Sequence, residues 1–584
     1  MSALFASTTR AANRRASIGA ALVALVALLS TVLAAPAFAA DGDEFDPGYI
    51  ISDDLMYTDS AMSEEQIQSF LTTKASANDC TSSNCLHKLT VDSKDKPAST
   101  TCAAYTGVAG ESVARIIYRI QQLCTVSAKV LLVTLEKEQG LISSGGPTST
   151  QLKVAMGYGC PDTAACNSLY YGIDNQIYWA ARAFGWYRSN PYDRHEVGTM
   201  NVYYHPNSNP AIKNPPTCGT KKVTIRNEAT AALYNYTPYT PNQASLDNMY
   251  TTGDKCSSYG NRNFWAYYTD WFGSPIGKLS SSVTKSRVYG DDRYETSVAV
   301  SKSAFPEPEA VTTVFVASGE NYPDGLSAAP AAAAAGGPLL LTEKSSLPAA
   351  VKAEIQRLAP EQIVVVGGTP TISSSVQKAL AAIAPVTRIA GDDRYETSRM
   401  IAAYAFPEGA DEVFIAIGSN FPDALAASGA AGSRGIPVIL VPKGAKTADS
   451  STRALIARLG ATKTVAAGDT KAITSSYLTS TQDGTSVTRL VRLGGATRYQ
   501  TAAVINEWAY SQATTAYLVS GVKYPDALSA AAVAGARSAP LHLSPGDCLP
   551  AASVGHITYA SVSELIFVGS SATLTSTAYN YTPC

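Results

Sequence analysis

The sequence predicts a multidomain protein, with a mainly helical, disulfide-containing N-terminal domain followed by three α/β parallel-sheet repeat modules. The first observation is a recurring phrase. GDDRYETS occupies Gly290–Ser297 and Gly391–Ser398, and GATRYQTA occupies Gly495–Ala502. The second is the distribution of cysteine, because eight of the ten cysteines precede these phrases. The chain is therefore built from two kinds of domain.

Three further phrases recur after the first one, in a fixed order and at nearly the same spacing. They are NYPDGLSAA, NFPDALAAS and KYPDALSAA from Asn321, Asn420 and Lys523; GGPLLLT, GIPVILV and SAPLHLS from Gly336, Gly435 and Ser538; and VVVGGTPTIS, VAAGDTKAIT and IFVGSSATLT from Val364, Val465 and Ile566. Four phrases in one order, three times over, identify a triple repeat. Copies of about a hundred residues are large enough to be small domains.

Short apolar runs alternate with helical stretches inside each copy. In the first copy the predicted helices are Tyr294–Phe305, an Ala-rich helix after the turn Asn321–Pro323, Leu347–Leu358 and Ser373–Ile383, and the predicted strands are VTTVFVAS, GGPLLLT and QIVVVGG. Apolar strands that are bounded by turns and alternate with helices predict a parallel sheet covered on both faces.

Residues 1–39 have the layout of a secretory signal peptide. Basic residues precede an apolar stretch at 18–35, and Ala37-Phe38-Ala39 offers small residues at the cleavage positions. A membrane anchor is the alternative, but the run is short for a span and no second span follows. The pair Arg14-Arg15 leaves twin-arginine export open. We expect a secreted protein with no stable membrane insertion after cleavage.

The remaining chain is predicted to divide into a helical domain at 40–276, a polar linker at 277–286, and repeats at 287–386, 387–490 and 491–584. The helices predicted in the first of these are Ala61–Thr72 with a capping box at Ser63 and Gln66, Glu111–Cys124, Ser127–Gln139 with Ser127 as N-cap, Asp174–Tyr187 and Glu228–Tyr234; Lys222–Arg226 alternates like a strand. The aromatic segment Ser257–Pro275 is typical of core, with a sugar platform as the alternative.

Charge and cysteine usage exclude several function classes. The 45 basic and 47 acidic residues leave no basic footprint for nucleic acid. In an exported chain the even cysteine groups favour disulfides, including Cys160 with Cys166 and Cys548 with Cys584. Zinc is the rival, yet no CxxC pairs with a second ligand pair at metal spacing. No metal and no cofactor are expected.

A pair of carboxylates at the end of one predicted helix is the candidate for chemistry. In LLVTLEKEQGLI, Glu136 and Glu138 interrupt an apolar run. A carboxyl group held against apolar neighbours can stay protonated and act as a general acid. The alternative is two solvated glutamates at a helix end. The two side chains point about 200° apart around a helix, so they cannot share one role.

The order of phrases around this helix resembles the soluble lytic transglycosylases and goose-type lysozymes. Glu138-Gln-Gly, then AMGYG at 155–159, then Asn175 opening an aromatic helix, then AALYNYTPY at 231–239 follow the family's order. The resemblance implies a lysozyme-like domain in which Glu138 is the catalytic acid and Tyr234 with Asn235 contacts substrate. Gln139, the residue after Met156, and Thr237-Pro238 depart from the family's pattern.

The same resemblance implies peptidoglycan as substrate, with Tyr158, Tyr234 and Tyr239 offering faces to sugar rings. Two-carboxylate glycosidases need a second acid, and Asp162 is the nearest candidate, although a disulfide loop tip also accounts for an aspartate there. Lytic transglycosylases use one acid, because the substrate's own lactyl-bearing sugar closes the ring. The sequence leaves both outcomes open. The histidines His87, His195 and His205 match no metal or triad spacing.

The repeats resemble the type 2 cell wall-binding repeats of Gram-positive surface proteins, over nearly all of Arg287–Cys584. The resemblance implies a pseudo-threefold trimer of modules that holds the protein non-covalently to an anionic wall polymer. It also implicates a Pro-Ile-Leu-Leu segment in attachment. The matching residues are Pro338, Leu339, Leu340 and Leu341 in the first copy and Pro437, Val438, Ile439 and Leu440 in the second. His542 breaks the third, which predicts different binding there.

Arg293, Arg394 and Arg498 recur in all three copies, whereas the acids beside them are replaced in the third copy by Ala496, Thr497 and Gln500. An ion-pair network within or between modules is one interpretation. Binding of an anionic polymer is the other, and it favours Arg498 because a guanidinium without neighbouring acids suits an anion. Asp324, Asp423 and Asp526 each follow a proline, which predicts a turn or N-cap role.

Two functions follow from these patterns. The first is a secreted, wall-anchored protein whose N-terminal domain cleaves peptidoglycan as a glycosidase or lytic transglycosylase. The second is a non-catalytic surface adhesin or structural cell wall protein. Both place the chain at the cell surface of a Gram-positive bacterium, bound to a wall polymer.

Overall fold

A computed structural model describes residues 40–161, 164–190, 195–205, 218–277, 279, 282–308 and 311–584. The predicted signal segment 1–39 and Asp162 therefore lie outside the described residues. In the part of the chain that the structure describes, no helix is long and apolar enough to cross a membrane.

The region before the repeats is mainly helical, with two small antiparallel ribbons. Its helices are α1 Asp53–Met56, α2 Glu64–Ala77, α3 Val113–Cys124, α4 Ala128–Gln139, α5 Ser149–Lys153, α6 Ile173–Ser189, α7 Glu228–Tyr236, α8 Gln243–Leu246 and α9 Gly260–Phe272, with 3₁₀ turns at Gly42–Glu44 and Ser168–Tyr170. Its strands are β1 Thr90–Val91 paired with β2 Glu111–Ser112, and β3 Gly198–Tyr203 paired with β4 Thr220–Ile225. The predicted helical character of this region is confirmed.

Local capping explains where these helices begin. The capping box of α2 is confirmed, because Ser63 accepts from the Gln66 backbone and Gln66 reaches back to the Ser63 backbone. Ser127 stands at the N-cap of α4, but its side chain makes no capping hydrogen bond. The predicted N-cap position is thus confirmed, although the fully buried Ser127 hydroxyl does not cap the helix.

Aromatic residues of α9 form the centre of this region. Phe264, Trp265 and Tyr268 are at most 2% exposed, and Phe45 meets Trp265 edge-on with ring centroids 5.9 Å apart. Large rings buried in this way dominate core energetics. The segment is therefore core and not a sugar platform.

Five disulfides join all ten cysteines. The pairs are Cys80–Cys85, Cys102–Cys124, Cys160–Cys166, Cys218–Cys256 and Cys548–Cys584. The last pair spans 36 residues and ties the end of the chain to the third module. A loop of that length stabilises a fold by about 3–4 kcal/mol in the chain-entropy model.

Each repeat module is a four-stranded parallel sheet with helices on both faces. The elements are β5 Thr284–Val288, α10 Arg293–Ala304, β6 Thr313–Ser318, α11 Pro323–Ala334, β7 Leu339–Thr342, α12 Ala349–Leu358, β8 Gln362–Val366 and α13 Ser374–Ala381; then β9 Val386–Ile389, α14 Arg394–Ala405, β10 Glu412–Ile417, α15 Pro422–Arg434, β11 Val438–Val441, α16 Ser450–Leu459, β12 Lys463–Ala467 and α17 Ser475–Ser480; then β13 Arg489–Leu493, α18 Arg498–Ala509, β14 Thr515–Ser520, α19 Pro525–Ala536, β15 Leu541–Ser544, α20 Ala551–Tyr559, β16 Glu564–Val568 and α21 Ser576–Tyr579. The parallel-sheet prediction is confirmed.

The fourth strand of each sheet comes from the start of the next copy. The sheets have the orders β7-β6-β8-β9, β11-β10-β12-β13 and β15-β14-β16-β5. The sheet of the third copy is thus completed by β5, which precedes the first copy and pairs with β16 from Thr284 to Val288. The predicted linker at 277–286 is wrong at its end, because residues 284–286 satisfy the open edge of that sheet.

The three Ala-rich helices α11, α15 and α19 pack on one another and give the modules a threefold arrangement. At one end the rings of Tyr322, Phe421 and Tyr524 meet pairwise with centroids 5.4–5.9 Å apart. At the other end a Cβ on Gly432 would lie 2.7 Å from Ala333 Cβ and 3.0 Å from Gly535 Cα. Small residues are required there because the helix backbones approach so closely.

The N-terminal region docks on the third module. Lys129 Nζ donates to Glu507 Oε1 at 2.6 Å, with both side chains largely buried, and Gln500 Nε2 donates to the Asp54 carbonyl at 3.2 Å. A Cβ on Gly273, at the end of α9, would lie 2.3 Å from the Gly555 carbonyl of α20. The hydrogen bond from Gln500 to the Asp54 carbonyl needs a donor, which the glutamate carboxylate of the other copies does not have.

Candidate functional site

Glu138 lies in the last turn of α4, which ends where Gly140 adopts a left-handed conformation with φ 61°. The Glu138 side chain is 25% exposed, and it forms an ion pair with Lys137, whose side chain is almost fully buried. Gly157, with φ 70°, faces it, because a Cβ there would lie 3.0 Å from Glu138 Oε2. The turn at 155–159 therefore meets Glu138.

Glu136 occupies a different environment two residues earlier. It is 3% exposed, and its carboxylate accepts from the backbone N–H of Ile142 at 2.9 Å, from the N–H of Ser143 at 3.0 Å, and from the Ser143 hydroxyl. A carboxylate with three donors holds the chain after the helix. The apolar surroundings predicted for Glu138 belong to Glu136, and Glu138 has a lysine beside it.

Gln176 fixes the turn opposite Glu138. Its side-chain oxygen accepts from the backbone N–H groups of Met156 and Tyr158, each at 3.1 Å. Its amide nitrogen donates to the carbonyls of Tyr158 and Tyr170. Gln176 is fully buried, so all of its donor and acceptor capacity is used to shape the backbone. Asn175 was predicted from the sequence to open this helix, whereas its neighbour Gln176 was not predicted.

Tyr158 belongs to an aromatic cluster beside this turn. Its ring stacks on Trp179 with centroids 5.9 Å apart and meets Tyr170 edge-on at 4.9 Å. The guanidinium of Arg182 lies 4.8 Å from the Trp179 ring. Burial raises the pKa of the Tyr158 hydroxyl. The cluster offers a partly open aromatic face near Glu138.

Tyr234 and Asn235, predicted to contact substrate, are used by the fold. Tyr234 is fully buried and donates to the Pro47 carbonyl at 3.0 Å. Asn235 accepts from the His195 N–H and donates to the His195 carbonyl, both at 2.9 Å. Both side chains are therefore engaged in contacts within the domain, and their contact with substrate stays a prediction. Tyr239 is also buried, at 9% exposed.

Tyr236 and Lys137 lie beside Glu138 instead. The Tyr236 hydroxyl donates to the Met156 carbonyl at 2.6 Å, and its pKa is raised well above the usual value, first by burial and then by the Glu138 charge. Lys137 Nζ lies 5.4 Å from the Tyr236 ring centroid and donates to Thr237 Oγ1 at 2.9 Å. The phrase AALYNYTPY therefore reaches the site through its second tyrosine.

The repeated arginines lie at the junctions between modules. Arg293, Arg394 and Arg498 donate to the carbonyls of Gly319, Gly418 and Gly521 at 2.5, 2.7 and 2.6 Å. The acids beside them act locally, since Asp292 accepts from the N–H groups of Tyr294 and Glu295 and so caps α10. These hydrogen bonds hold each arginine against a glycine of its own module.

Each arginine faces an aspartate of the preceding module in the ring. Burial raises the pKa of Asp324, Asp423 and Asp526, and the charges of Arg394, Arg498 and Arg293 respectively lower it. These aspartates lie at the second position of α11, α15 and α19, after a proline that begins each helix. They stand in the first turn, and the N-cap position is taken by Tyr322, Phe421 and Tyr524.

The junction between the third and first modules is an open cleft of about 320 Å³. Arg293 and Lys523 supply positive charge, and Asp291, Asp292 and Asp526 supply negative charge. Ser570 and Thr573 add hydroxyl groups. Arg293 is exposed, whereas Arg498 is half-buried. The exposed guanidinium is thus in the first copy, not in the third as the loss of neighbouring acids indicated.

A second set of arginines meets the same junctions. Arg287, Arg388 and Arg492 donate to the carbonyls of Gly569, Gly367 and Gly468 at 2.7, 2.5 and 3.0 Å. The three glycines have positive φ. A Cβ on each would lie within 3 Å of an aspartate Oδ2, and the aspartates are Asp526, Asp324 and Asp423 respectively. These arginines were not predicted from the sequence. Their signal is an arginine six residues before Arg293, Arg394 and Arg498 in every copy.

The segments predicted to contact the wall polymer are buried strands. Pro338, Leu339, Leu340 and Leu341, and likewise Pro437, Val438, Ile439 and Leu440, are all buried. Direct contact is therefore wrong for these side chains, because each sheet lies between two layers of helices. His542 in the third copy is fully buried, and its Nε2 lies 3.1 Å from His556 Nδ1.

Asp423 predicts a pH dependence of stability. Burial, with the charge of Asp469 adding to it, raises the pKa of Asp423 from 3.8 to about 6. Between pH 4 and 6 the folded state holds a proton that the unfolded state has lost, so stability falls as pH rises. Asp423→Asn is expected to flatten this slope and to raise the free energy of unfolding at pH 7 by about 3 kcal/mol. Denaturant titrations at several pH values measure the free energy of unfolding, and Asp483→Asn, at an exposed position, is the control. An unchanged pH dependence in Asp423→Asn contradicts the prediction.

Comparison with known families identifies the modules. The model of cell wall binding domain 2 (CWB2) matches residues 287–377, 388–478 and 492–579. The C-terminal half of the chain therefore belongs to the cell wall binding domain 2 family, in three copies, as the sequence predicted. The chain is a cell-wall-associated protein.

Curated relatives share part of the chain. It is 28% identical over 284 residues to N-acetylmuramoyl-L-alanine amidase LytC of Bacillus subtilis, covering 48% of this chain and 55% of the relative. It is 27% identical over 294 residues to the amidase enhancer of the same organism, covering 50% of this chain and 39% of the relative. The chain thus spans about half of the first relative's length and less of the second's.

Two solved structures also match. Cwp6 from Clostridium difficile has a TM-score of 0.48 and 23% identity, covering 51% of this chain and 47% of that chain. Cwp8 from the same organism has a TM-score of 0.47 and 26% identity, covering 51% of each.

Proposed function

We propose that the protein is exported and held non-covalently at the cell wall by its three repeats, and that its N-terminal domain cleaves peptidoglycan. The observation that carries this proposal is the set of three cell wall binding modules in one chain. The clefts between modules take up an anionic wall polymer, and their threefold repetition supplies avidity for a repetitive chain.

The cleft at Arg293 supports this mode of binding. Its guanidinium uses one N–H for the Gly319 carbonyl, and four further donors suit anionic oxygens. Lys523 lines the same cleft and adds a second cation. Asp291, Asp292 and Asp526 line the same cleft, and their negative charges disfavour unspecific binding of polyanions.

The variant Arg293→Gln/Arg394→Gln/Arg498→Gln tests the wall-binding proposal. Without three guanidinium groups, retention on purified walls is expected to fall by about tenfold or more, since avidity is lost with each junction. The control variant Lys352→Gln/Lys378→Gln/Arg458→Gln removes equal charge from exposed helix positions and should retain binding. Equal retention of the two variants, both folded by circular dichroism, contradicts the proposal.

For catalysis, the Glu138 carboxylate first takes up a proton and then gives it to the glycosidic oxygen between two sugars. The buried ammonium of Lys137 then lies beside the carboxylate that forms and stabilises it. The turn held by Gln176 and the aromatic face of Tyr158 position the sugar. As the family resemblance implies, the glycosidic C–O bond breaks and a hydroxyl of the substrate's own lactyl-bearing sugar bonds to the anomeric carbon. That hydroxyl returns its proton to Glu138, so one acid suffices.

The alternative is a non-catalytic adhesin or structural wall protein with a lysozyme-like domain. It is favoured by Tyr234 and Asn235, which the fold uses for its own contacts. A zymogram of the full chain on purified peptidoglycan separates the two functions. Clearing supports the enzyme, and no clearing on any peptidoglycan tested supports the adhesin.

A further inference from the structure

The backbone nitrogen of Ala40 lies in a polar site at the surface of α9. It is 2.6 Å from the Tyr250 hydroxyl and 3.0 Å from Asp270 Oδ1. The Tyr250 hydroxyl in turn donates to the same carboxylate oxygen at 2.9 Å. Ala40 itself is only 5% exposed. Three polar atoms from distant parts of the sequence therefore converge at this one position.

This arrangement suits an ammonium group better than a peptide group. A peptide nitrogen has one hydrogen to share between the two acceptors, whereas an α-ammonium has three hydrogens and a positive charge. Burial raises the pKa of Asp270, whereas the hydrogen bonds from Tyr250 and Ala40 and the nearby charge of Lys74 lower it. The carboxylate would gain from a second cation, and a buried carboxylate pairs best when it is hydrogen-bonded as well.

The residues after Ala40 hold it in place. Asp41 caps the 3₁₀ turn Gly42–Glu44 by accepting from the Asp43 N–H. A Cβ on Gly42 would lie 2.2 Å from the Leu246 carbonyl, so this backbone lies directly against α8. With Phe45 against Trp265, the chain is fixed to the core within six residues of Ala40.

We propose that hydrolysis of the Ala39–Ala40 bond during export creates an α-ammonium at Ala40 that docks between Asp270 and Tyr250 and completes the fold of the N-terminal domain. Water adds across the peptide bond, Ala39 leaves as a carboxylate, and the new amine of Ala40 takes a proton. The small residues Ala37 and Ala39 are the second observation that selects this bond. The cleavage half rests on the export proposed above, whereas the docking half can be tested without export.

The cleavage half is tested by expressing the full chain in a Gram-positive host and mapping the N-terminus of the secreted protein by mass spectrometry. A first residue of Ala40 is the expected result. Any other first residue overturns the proposal, because no ammonium then forms at Asp270.

The docking half is tested on purified chains that begin at Ala40 or carry one extra glycine before it. The Ala40 amine is expected to react with an acylating reagent about tenfold more slowly than in Asp270→Asn, because the site must open first. The extra glycine should lower the melting temperature by about 2–4 °C in wild type and have no effect in Asp270→Asn.

Two further variants keep the docking test decisive. Asp247→Asn removes an exposed carboxylate of the same domain and should behave as wild type. Tyr250→Phe removes only the hydroxyl and should raise the acylation rate of the Ala40 amine above that of wild type, by less than Asp270→Asn does. This comparison with wild type can still be made if Asp270→Asn fails to fold. Equal acylation rates in wild type and Tyr250→Phe, or a glycine effect that persists in Asp270→Asn, overturn docking.

Discussion

Glu138→Gln is expected to lower the rate of muropeptide release by about 100- to 10,000-fold, which is the usual contribution of general acid catalysis. Glutamine keeps the size and the hydrogen-bonding capacity of the side chain but has no proton to give. The Glu138 side chain is partly exposed and pairs with the Lys137 side chain, so the fold should survive. Release of soluble muropeptides by purified protein measures the effect.

Glu136→Gln is the matched control two residues away. It weakens the contacts to Ile142 and Ser143, so we expect a loss of about 1–3 kcal/mol in the free energy of unfolding. Its rate of release per folded molecule should change far less than that of Glu138→Gln. If wild type releases muropeptides and Glu138→Gln releases them equally fast, Glu138 is not the acid.

A repeat fragment that begins at Tyr289 is expected to bind walls at least about tenfold more weakly than one that begins at Thr284. The five residues between these starts form β5, which pairs with β16 along its whole length. Without β5, β16 keeps its pairing with β14 but loses the ladder partners on its other side, and Phe567 loses the Arg287 guanidinium that lies 5.6 Å from its ring. The third sheet is then left with an open edge. The closed ring of modules then loses one junction.

Sedimentation of each fragment with purified walls measures this difference. Both fragments lack the N-terminal domain, so its docking surface is equally exposed in the two. Circular dichroism during heating should show an early transition only in the fragment from Tyr289. Equal retention and equal melting of the two fragments would show that β5 is dispensable.

Most of the module fold could be predicted from the sequence, but its fourth strand could not. Strands such as Gln362–Val366 are wholly apolar and stand between turns, which is the pattern of a buried parallel strand. Val386–Ile389 has four residues and includes Arg388, and it lies on the outer edge of its sheet. The sheet that Val386–Ile389 joins is decided by contacts between modules, and these contacts leave no local pattern in the sequence.

The candidate site shows the same limit at the level of single residues. The separation of Glu136 from Glu138 follows from helical geometry, and the structure gives them different environments. The phrase AALYNYTPY could not say which tyrosine faces Glu138, because successive residues on a helix point about 100° apart. Tyr234 points into the core and Tyr236 meets the site. The burial of the segment Pro338–Leu341 could have been predicted from the sequence, since an apolar run of this length is typical of a core strand.

Retention of the full chain on stripped cell walls tests the central claim most directly. Walls are purified, and half of the sample is chemically freed of its anionic polymer while the glycan is kept. The protein is then sedimented with each sample at equal ionic strength. We expect binding to native walls and a large loss on the stripped walls. Equal retention on both would contradict polymer binding at the module junctions and would assign attachment to the glycan.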